Sequence, residues 1–555
     1  NNNYPPVRKW QVVFLYTFLR KRGQEMKKLF TLIIAALLAI PTFATVYESC
    51  PLTVTVNGEP LENDPINVTV KKEDNGKYSL ELKNFILSAY YLPVGTIEVN
   101  NVDAIEYGGT IILSTQQNIT IQAGDDKNYQ EKDWLGPDLQ KVPITFKGEI
   151  KGDDFNAILN IPLGKDMLVG VQLGKNVASM GQLPNAGFEG YHTATYNGVS
   201  SEEPNGWHSF MSATGSQAER VASIVHTWSS TDVRTNPSTG STKSVKVASA
   251  PVKIQVGTTS RVVASANGTI TTGRLNAGSM LASSKDNCSF LNFTSKDKDG
   301  NGDPFYAILN NKPDAVKVWV KYSAGDGNKN PQATISAILT NGQYAQDPEK
   351  DKYNDNIIAR ASKTDIASNN KWEQIEIPFT YSNIEGIPVG ALVTMSTCAV
   401  ASGGSQSETN PDVLYVDDIE MVYNCALKSI KVNGNDATLD NGKYTANASG
   451  IITANDIEVE SDGKGAYITK LLEDNKNGGV TATIIITSND LKESNMYTLD
   501  IKGATTGIKA PQSVTLPNGI KAIYNLAGQQ VGSMTPGQVY IVKTSDGQTK
   551  KVIKK

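Results

Sequence analysis

The sequence predicts an all-β protein assembled from several modules. Three observations predict it. Short segments that alternate apolar and polar residues recur along most of the chain, which is the period of a half-buried strand. Turn pairs rich in Asn, Asp and Gly separate these segments. Helical heptads are scarce. At 555 residues, the chain is long enough for three to five domains of about 100–200 residues each.

The N-terminal segment carries a compartment signal. Met26-Lys27-Lys28 is a basic start, LFTLIIAALLAI (29–40) an apolar run, and Pro41 with TFA (42–44) a small-residue exit. This pattern predicts a secretory signal peptide cleaved after Ala44. The run is shorter than the ~20 residues of a membrane span. Residues 1–25 read as sequence upstream of the natural start. Cys50 follows Tyr47-Glu48-Ser49, a poor match to a lipoprotein signal, so lipidation is not expected. Without residues 1–44 the chain carries 45 basic and 55 acidic side chains, a balance of −10 with no basic patch. Nucleic acid is therefore not an expected partner. Four cysteines (Cys50, Cys288, Cys398, Cys425) are too few for a disulfide scaffold. A Cys398–Cys425 bridge is conceivable in an exported chain, and three full connectivities stay open.

Residues 45–174 read as about eight short strands, among them LTVTVNG, INVTVKK, KYSLELKNF, VPITFKGEI, FNAILNIPL and MLVGVQLG. Tight turns such as Asn57-Gly58 and Asp74-Asn75-Gly76 join them. Such a series suits an up-and-down meander closed as a barrel. The stretches LTVTVNGEPLENDPINVTVKKEDNGKYSLELKNFIL, LPVGTIEVNNV, DWLGPDL and ITFKGEIKGD make this segment resemble the calycin-like β-barrel domain of secreted Bacteroidetes proteins. The resemblance implies an eight-stranded barrel, with a small apolar ligand as one use. Trp134 in DWLGPDL is expected to plug one barrel end.

A linker at 175–183 leads to residues 184–424, where strands are separated by long polar loops; this unit is expected to be a two-sheet jelly roll. Residues 426–503 have the size and strand count of a small Ig-like sandwich. Residues 511–555 form a short β module. Its run Ile523-Tyr524-Asn525-Leu526-Ala527-Gly528-Gln529, the Pro536–Lys543 stretch and the Lys550–Lys555 ending resemble the C-terminal sorting domain of the type IX secretion system. That resemblance implies the outer-membrane export machinery as a partner and attachment to the cell surface. Without a functional sorting domain, the expected location is periplasmic.

In the jelly roll, NAGFEGYHT (185–193) opens the unit and LYVDDIEMVY (414–423) closes it. First and last strands of a jelly roll often lie side by side. Glu189, Asp417 and Asp418 are then expected to converge, and a structural Ca²⁺ would neutralise them with oxygen ligands. Strict alternation would put Asp417 and Asp418 on opposite faces, and Asp417 is the preferred ligand. NAGFEGY, PNGWHSF, VKVWVKY, KWEQIEIPFTY and LYVDDIEMVY also resemble the carbohydrate metabolism domain of Bacteroidetes surface proteins, a family that brings no catalytic motif.

Sugars are held by aromatic faces flanked by polar groups. In VKVWVKY, Trp319 alternates with Lys317 and Lys321, opposite the Val316, Val318, Val320 and Tyr322 face. Trp319 is the first stacking candidate and Trp228 a second. Trp207 and Trp372 read as packing residues. His192, His208 and His226 are spaced by 16 and 18 residues, which matches no zinc motif, so no metal is expected there. Together these features predict an exported, surface-associated glycan-binding protein without assigned catalysis. The alternatives are a glycoside hydrolase using an unidentified carboxylate pair, or a carrier of a small apolar ligand in the barrel.

Overall fold

A computed structural model describes residues 44–507 apart from 62, 140, 164–166, 238–239, 441 and 476–477, together with three strands near the C-terminus. The signal-peptide expectation falls outside the described residues, as does most of the sorting-like tail. The described part is almost entirely β.

The first module is a meander whose first strand closes the ring. Pro51 divides that strand into Ala44–Cys50 and Leu52–Val56. Its first half pairs with Ile66–Lys72 and its second half with Leu168–Leu173. Between them run Tyr78–Leu87, Leu92–Tyr107, Thr110–Ile119, Val142–Lys151 and Asp154–Pro162, each antiparallel to the next. The eight strands expected from the sequence are all present. Alternation puts Val54, Val68, Val70, Leu80 and Leu82 inside, where they join Phe85, Phe146 and Phe155 in one packed apolar cluster. Asn84, at φ 55, interrupts the alternation of Tyr78–Leu87 and hands the inward phase from Leu82 to Phe85. Trp134 is 2% exposed and tilts against Tyr129 at 5.2 Å, so it is a packed side chain.

The second module is a β-sandwich. One sheet runs in the order Thr227–Ser230, Ser244–Ala248, Val413–Val422, Ala315–Ser323, Glu373–Pro378. The other contains Thr269–Thr271, Gly390–Ser396, Gln332–Thr340, Ile357–Ala367 and Thr380–Tyr381. Val316, Val318, Val320, Tyr322, Leu414 and Val416 from the first meet Ile270, Ile335, Leu339, Val393 and Met395 from the second. This two-faced burial is what period-2 alternation dictates. Trp207 is fully buried in the same core, and its Nε1–H donates to Pro184 O at 2.9 Å.

A smaller sandwich follows. Leu427–Val432 pairs with Ile457–Ser461, and the facing sheet runs Lys443–Ile451, Ser494–Thr505, Gly479–Thr487, Tyr467–Asn475. Three antiparallel strands, Ile520–Tyr524, Val539–Thr544 and Thr549–Ile553, stand near the C-terminus. All four cysteines are buried and free. Cys398 points its thiol to Asn330 O, and Cys425 lies beside Asn495.

The barrel wall and the small sandwich touch. Asp154–Pro162 is buried on both faces because Ile158 packs against Met180 and Leu491, and Asn160 donates to Leu491 O at 3.2 Å. Lys147, 4% exposed, donates to Asn311 Oδ1 at 2.7 Å and Asn489 Oδ1 at 3.2 Å. One lysine side chain thus joins three modules.

Candidate functional site

The site is built on the outer face of the five-stranded sheet. Strand register sets side chains from neighbouring strands in a row. Trp228 pairs with Lys246, Lys246 with Tyr415, and Tyr415 with Lys321. Trp372 stands just before Glu373, which pairs with Val320, so it extends the same row. All five side chains are half-buried. Their partners in alternation, Val245, Val247, Leu414, Val416 and Val320, are fully buried in the core. The row therefore faces outward because its neighbours must face inward.

Polar groups fill the gaps between the rings. The Lys321 ammonium lies 4.9 Å from the Tyr415 ring centre and pairs with Asp232. Trp372 Nε1–H donates to the other oxygen of Asp232 at 3.0 Å. Burial pushes the Asp232 pKa up, but the hydrogen bonds from Lys321 and Trp372 outweigh it and hold the carboxyl below its usual range. Lys246 lies 5.1 Å from the Trp228 ring centre. The Tyr415 and Trp372 ring centres are 6.3 Å apart.

Trp319 shares this face but stands apart from the row. Arg234 lies over its ring at 5.4 Å, as Lys246 and Lys321 lie over Trp228 and Tyr415, but with a planar guanidinium in place of an ammonium. Arg234 is clamped there: Nε binds Asp418, Nη1 binds Asn236 O, and the backbone N–H donates to Asp417 Oδ2 at 2.9 Å. Of the two aromatic candidates from the sequence, Trp228 belongs to the row and Trp319 is covered. Trp372 and Tyr415 are the row members that sequence reasoning missed, because nothing in one strand shows its register against the next.

The start and end of the sandwich do meet. Gln182 brackets Met421, donating to its carbonyl at 2.9 Å and accepting its N–H at 2.8 Å. Ile419 N–H donates to Ala186 O at 2.9 Å. The expected trio of Glu189, Asp417 and Asp418 falls into separate hydrogen-bond sets. Glu189 accepts from the Thr242 N–H at 2.8 Å, the Thr242 hydroxyl at 2.7 Å and the Lys243 N–H at 3.0 Å. Asp417 and Asp418 both serve Arg234. Among the described residues, the groupings compact enough for a metal ion lie elsewhere.

The expected alternation through LYVDDIEMVY is corrected. Asp418 has φ 41, and the pairing to Ala315–Ser323 gains an extra residue between Asp417 and Glu420. This is a β-bulge. Leu414 and Val416 face the core before it, and Ile419, Met421 and Tyr423 face the core after it. Asp417 is left fully buried, which pushes its carboxyl up to about 6 against the stabilising Arg234 N–H.

Residues 43–172 match the calycin-like beta-barrel domain family. No curated protein matches the chain. Among solved structures, a "putative glycoside hydrolase" from Bacteroides vulgatus aligns with TM-score 0.29 and 15% identity, over 42% of this chain and 96% of its own. Another from Bacteroides thetaiotaomicron aligns with TM-score 0.26 and 11% identity, over 69% and 98%. Carbohydrate-binding modules of the β-sandwich superfamily align with TM-score 0.19 and 8% identity, over 68% and 96%. Likenesses this distant carry no function to the present chain.

Two of the three histidines are not scattered. They fall in two overlapping trios that share Asp299, the partly buried His192–Asp299–Asp303 and the more deeply buried Glu203–His208–Asp299, while His226 lies apart, with Nδ1 against Ala248 O at 2.8 Å. The chain spacing of 16 residues hid the pair, because the hairpin Tyr191–Pro204 doubles the chain back between them. The loop Asp297-Lys298-Asp299-Gly300-Asn301-Gly302-Asp303 brings Asp299 to the histidines.

Proposed function

We propose that this is an exported, surface-associated protein that binds glycan on the outer face of its larger sandwich. The observation that carries the reading is the row Trp228–Lys246–Tyr415–Lys321–Trp372. It alternates aromatic rings with hydrogen-bonding cations across five adjacent strands. Four strand spacings of about 4.8 Å make it ~19 Å long, the length of a short oligosaccharide rather than a single sugar. Rings offer the apolar faces of pyranoses a stacking surface, and Lys321, Lys246 and Asp232 offer hydroxyls donors and acceptors. Export rests on the 26–44 segment, and surface attachment on the sorting-like tail. Screening the full mature chain on an array of plant, microbial and host glycans tests the reading. Binding to a defined oligosaccharide class, lost in the Trp228→Ala, Tyr415→Ala, Trp372→Ala triple variant, supports it. A folded protein that binds no glycan on the array overturns it.

A further inference from the structure

Four buried side-chain atoms lie close together beside the larger sandwich, around Asp299. They are His192 Nε2, Glu203 Oε2, His208 Nδ1 and Asp299 Oδ2, and none has a hydrogen-bond partner. Glu203 and His208 are fully buried, and the side chains of His192 and Asp299 are 9% and 4% exposed. His192 Nε2 lies 3.3 Å from Asp299 Oδ2 and 3.8 Å from Glu203 Oε2. His208 Nδ1 lies 3.4 Å from Asp299 Oδ2.

Each of these side chains has its other polar atom fixed. His208 Nε2 faces the carbonyl of Pro304 at 3.1 Å, which only an N–H can satisfy. His192 Nδ1 faces Asn205 Oδ1 at 3.2 Å. A neutral imidazole so held presents its remaining nitrogen as a lone pair. Glu203 Oε1 accepts the Ser209 N–H at 2.9 Å and the Ser209 hydroxyl. Asp299 Oδ1 accepts the N–H groups of Asn301 at 2.9 Å and Asp303 at 2.8 Å. Two nitrogen lone pairs and two carboxylate oxygens are thus aimed at one another without a donor. Leaving such groups buried and unpaired is costly.

A first-row divalent cation resolves this arrangement. Bonds of about 2.0–2.1 Å to N and O ligands in a tetrahedron place the ligands about 3.3 Å apart. Three of the six gaps, 3.3, 3.4 and 3.8 Å, run from that edge to half an ångström beyond it. The outward hydrogen bonds to Pro304 O and Asn205 Oδ1 are the kind that orient metal-bound imidazoles. Imidazole nitrogens disfavour Ca²⁺ and suit Zn²⁺ and its neighbours. We propose that His192, Glu203, His208 and Asp299 form a structural Zn²⁺-class site. Such a site ties together the hairpin Tyr191–Pro204, the turn carrying His208 and the loop 297–305. The inference is independent of the glycan-binding reading.

The test uses the full mature chain, without a histidine tag, stripped with a chelator and titrated with Zn²⁺ alone. Uptake of one Zn²⁺ per chain with a raised melting temperature is expected, weakened at least tenfold in Glu203→Gln and in His192→Ala, and unchanged in His226→Ala. Should the site variants fail to fold, Co²⁺ on the wild-type chain decides. Visible d–d bands of tetrahedral Co²⁺ without a thiolate charge-transfer band support the assignment. A folded wild-type chain that takes up neither ion overturns it and leaves imidazolium–carboxylate pairs in its place. Uptake that persists unweakened in folded Glu203→Gln and His192→Ala chains overturns it equally.

Discussion

The backbone N–H of Arg234 donates to Asp417 Oδ2 at 2.9 Å, across 183 residues of sequence, while its guanidinium binds Asp418 and covers Trp319. One residue of a polar loop thereby binds both carboxylates of the bulge, while Asp417 Oδ1 stays buried without a hydrogen-bond partner. Replacing Arg234 with Met keeps the backbone bond but leaves Asp418 without its guanidinium. The pair is only partly buried, at 14% and 26% exposure. A loss of about 1–2 kcal/mol in urea unfolding is expected. An unchanged midpoint would remove Arg234 from the account of the bulge.

Trp319→Ala separates stability from binding. Arg234 takes the place over this ring, so the substitution is expected to lower the melting temperature while affinity for the glycan identified on the array stays within about twofold, less than the tenfold that 1.4 kcal/mol represents. Isothermal titration against that glycan checks it. A tenfold loss in a folded Trp319→Ala chain would return this residue to the binding surface.

Trp207 tests the core. It is fully buried against Phe188, with ring centres 5.2 Å apart, and its indole N–H is bonded. Trp207→Ala is expected to cost about 3–5 kcal/mol, read as the unfolding transition of the larger sandwich. A cost below about 1 kcal/mol would show that this position is not part of the core.

Lys147 gives a pH signature. Burial lowers its pKa to about 7, against about 10.4 in an unfolded chain. Between these values the unfolded chain holds the proton and the folded chain does not. Stability therefore rises with pH from about 7 to 10, by at most about 4 kcal/mol, and the burial cost is fully present below pH 7. Melting at pH 6.5 and pH 9 is expected to show this gain in the wild type and a smaller one in Lys147→Met. Identical gains in both proteins would show that Lys147 does not carry the effect.

Much of the fold was legible because local pattern decides it. Alternation in INVTVKK and VKVWVKY put the valines inside, and Asn-Gly and Asp-Asn-Gly turns marked the hairpins. The meeting of chain start and end in the larger sandwich was also legible, from NAGFEGY and LYVDDIEMVY. Its chemistry was not. A bulge at Asp418 resets alternation, and no periodicity announces a single left-handed residue. The partner of the Asp pair sits in a loop read only as polar. Trp372 looked like a packing residue because its exposure depends on which strand lies beside it. The His192–His208 cluster depends on a hairpin and a distant loop meeting, which is a tertiary fact.

The central claim is that the Trp228–Tyr415–Trp372 row binds glycan. The most direct measurement is isothermal titration of the array-identified oligosaccharide into wild-type, Trp372→Ala and Tyr415→Ala chains whose melting temperatures match. The account predicts at least a tenfold loss of affinity in each variant, about 1.4 kcal/mol or more for a lost stacking surface. Affinities equal to wild type in both folded variants would contradict it.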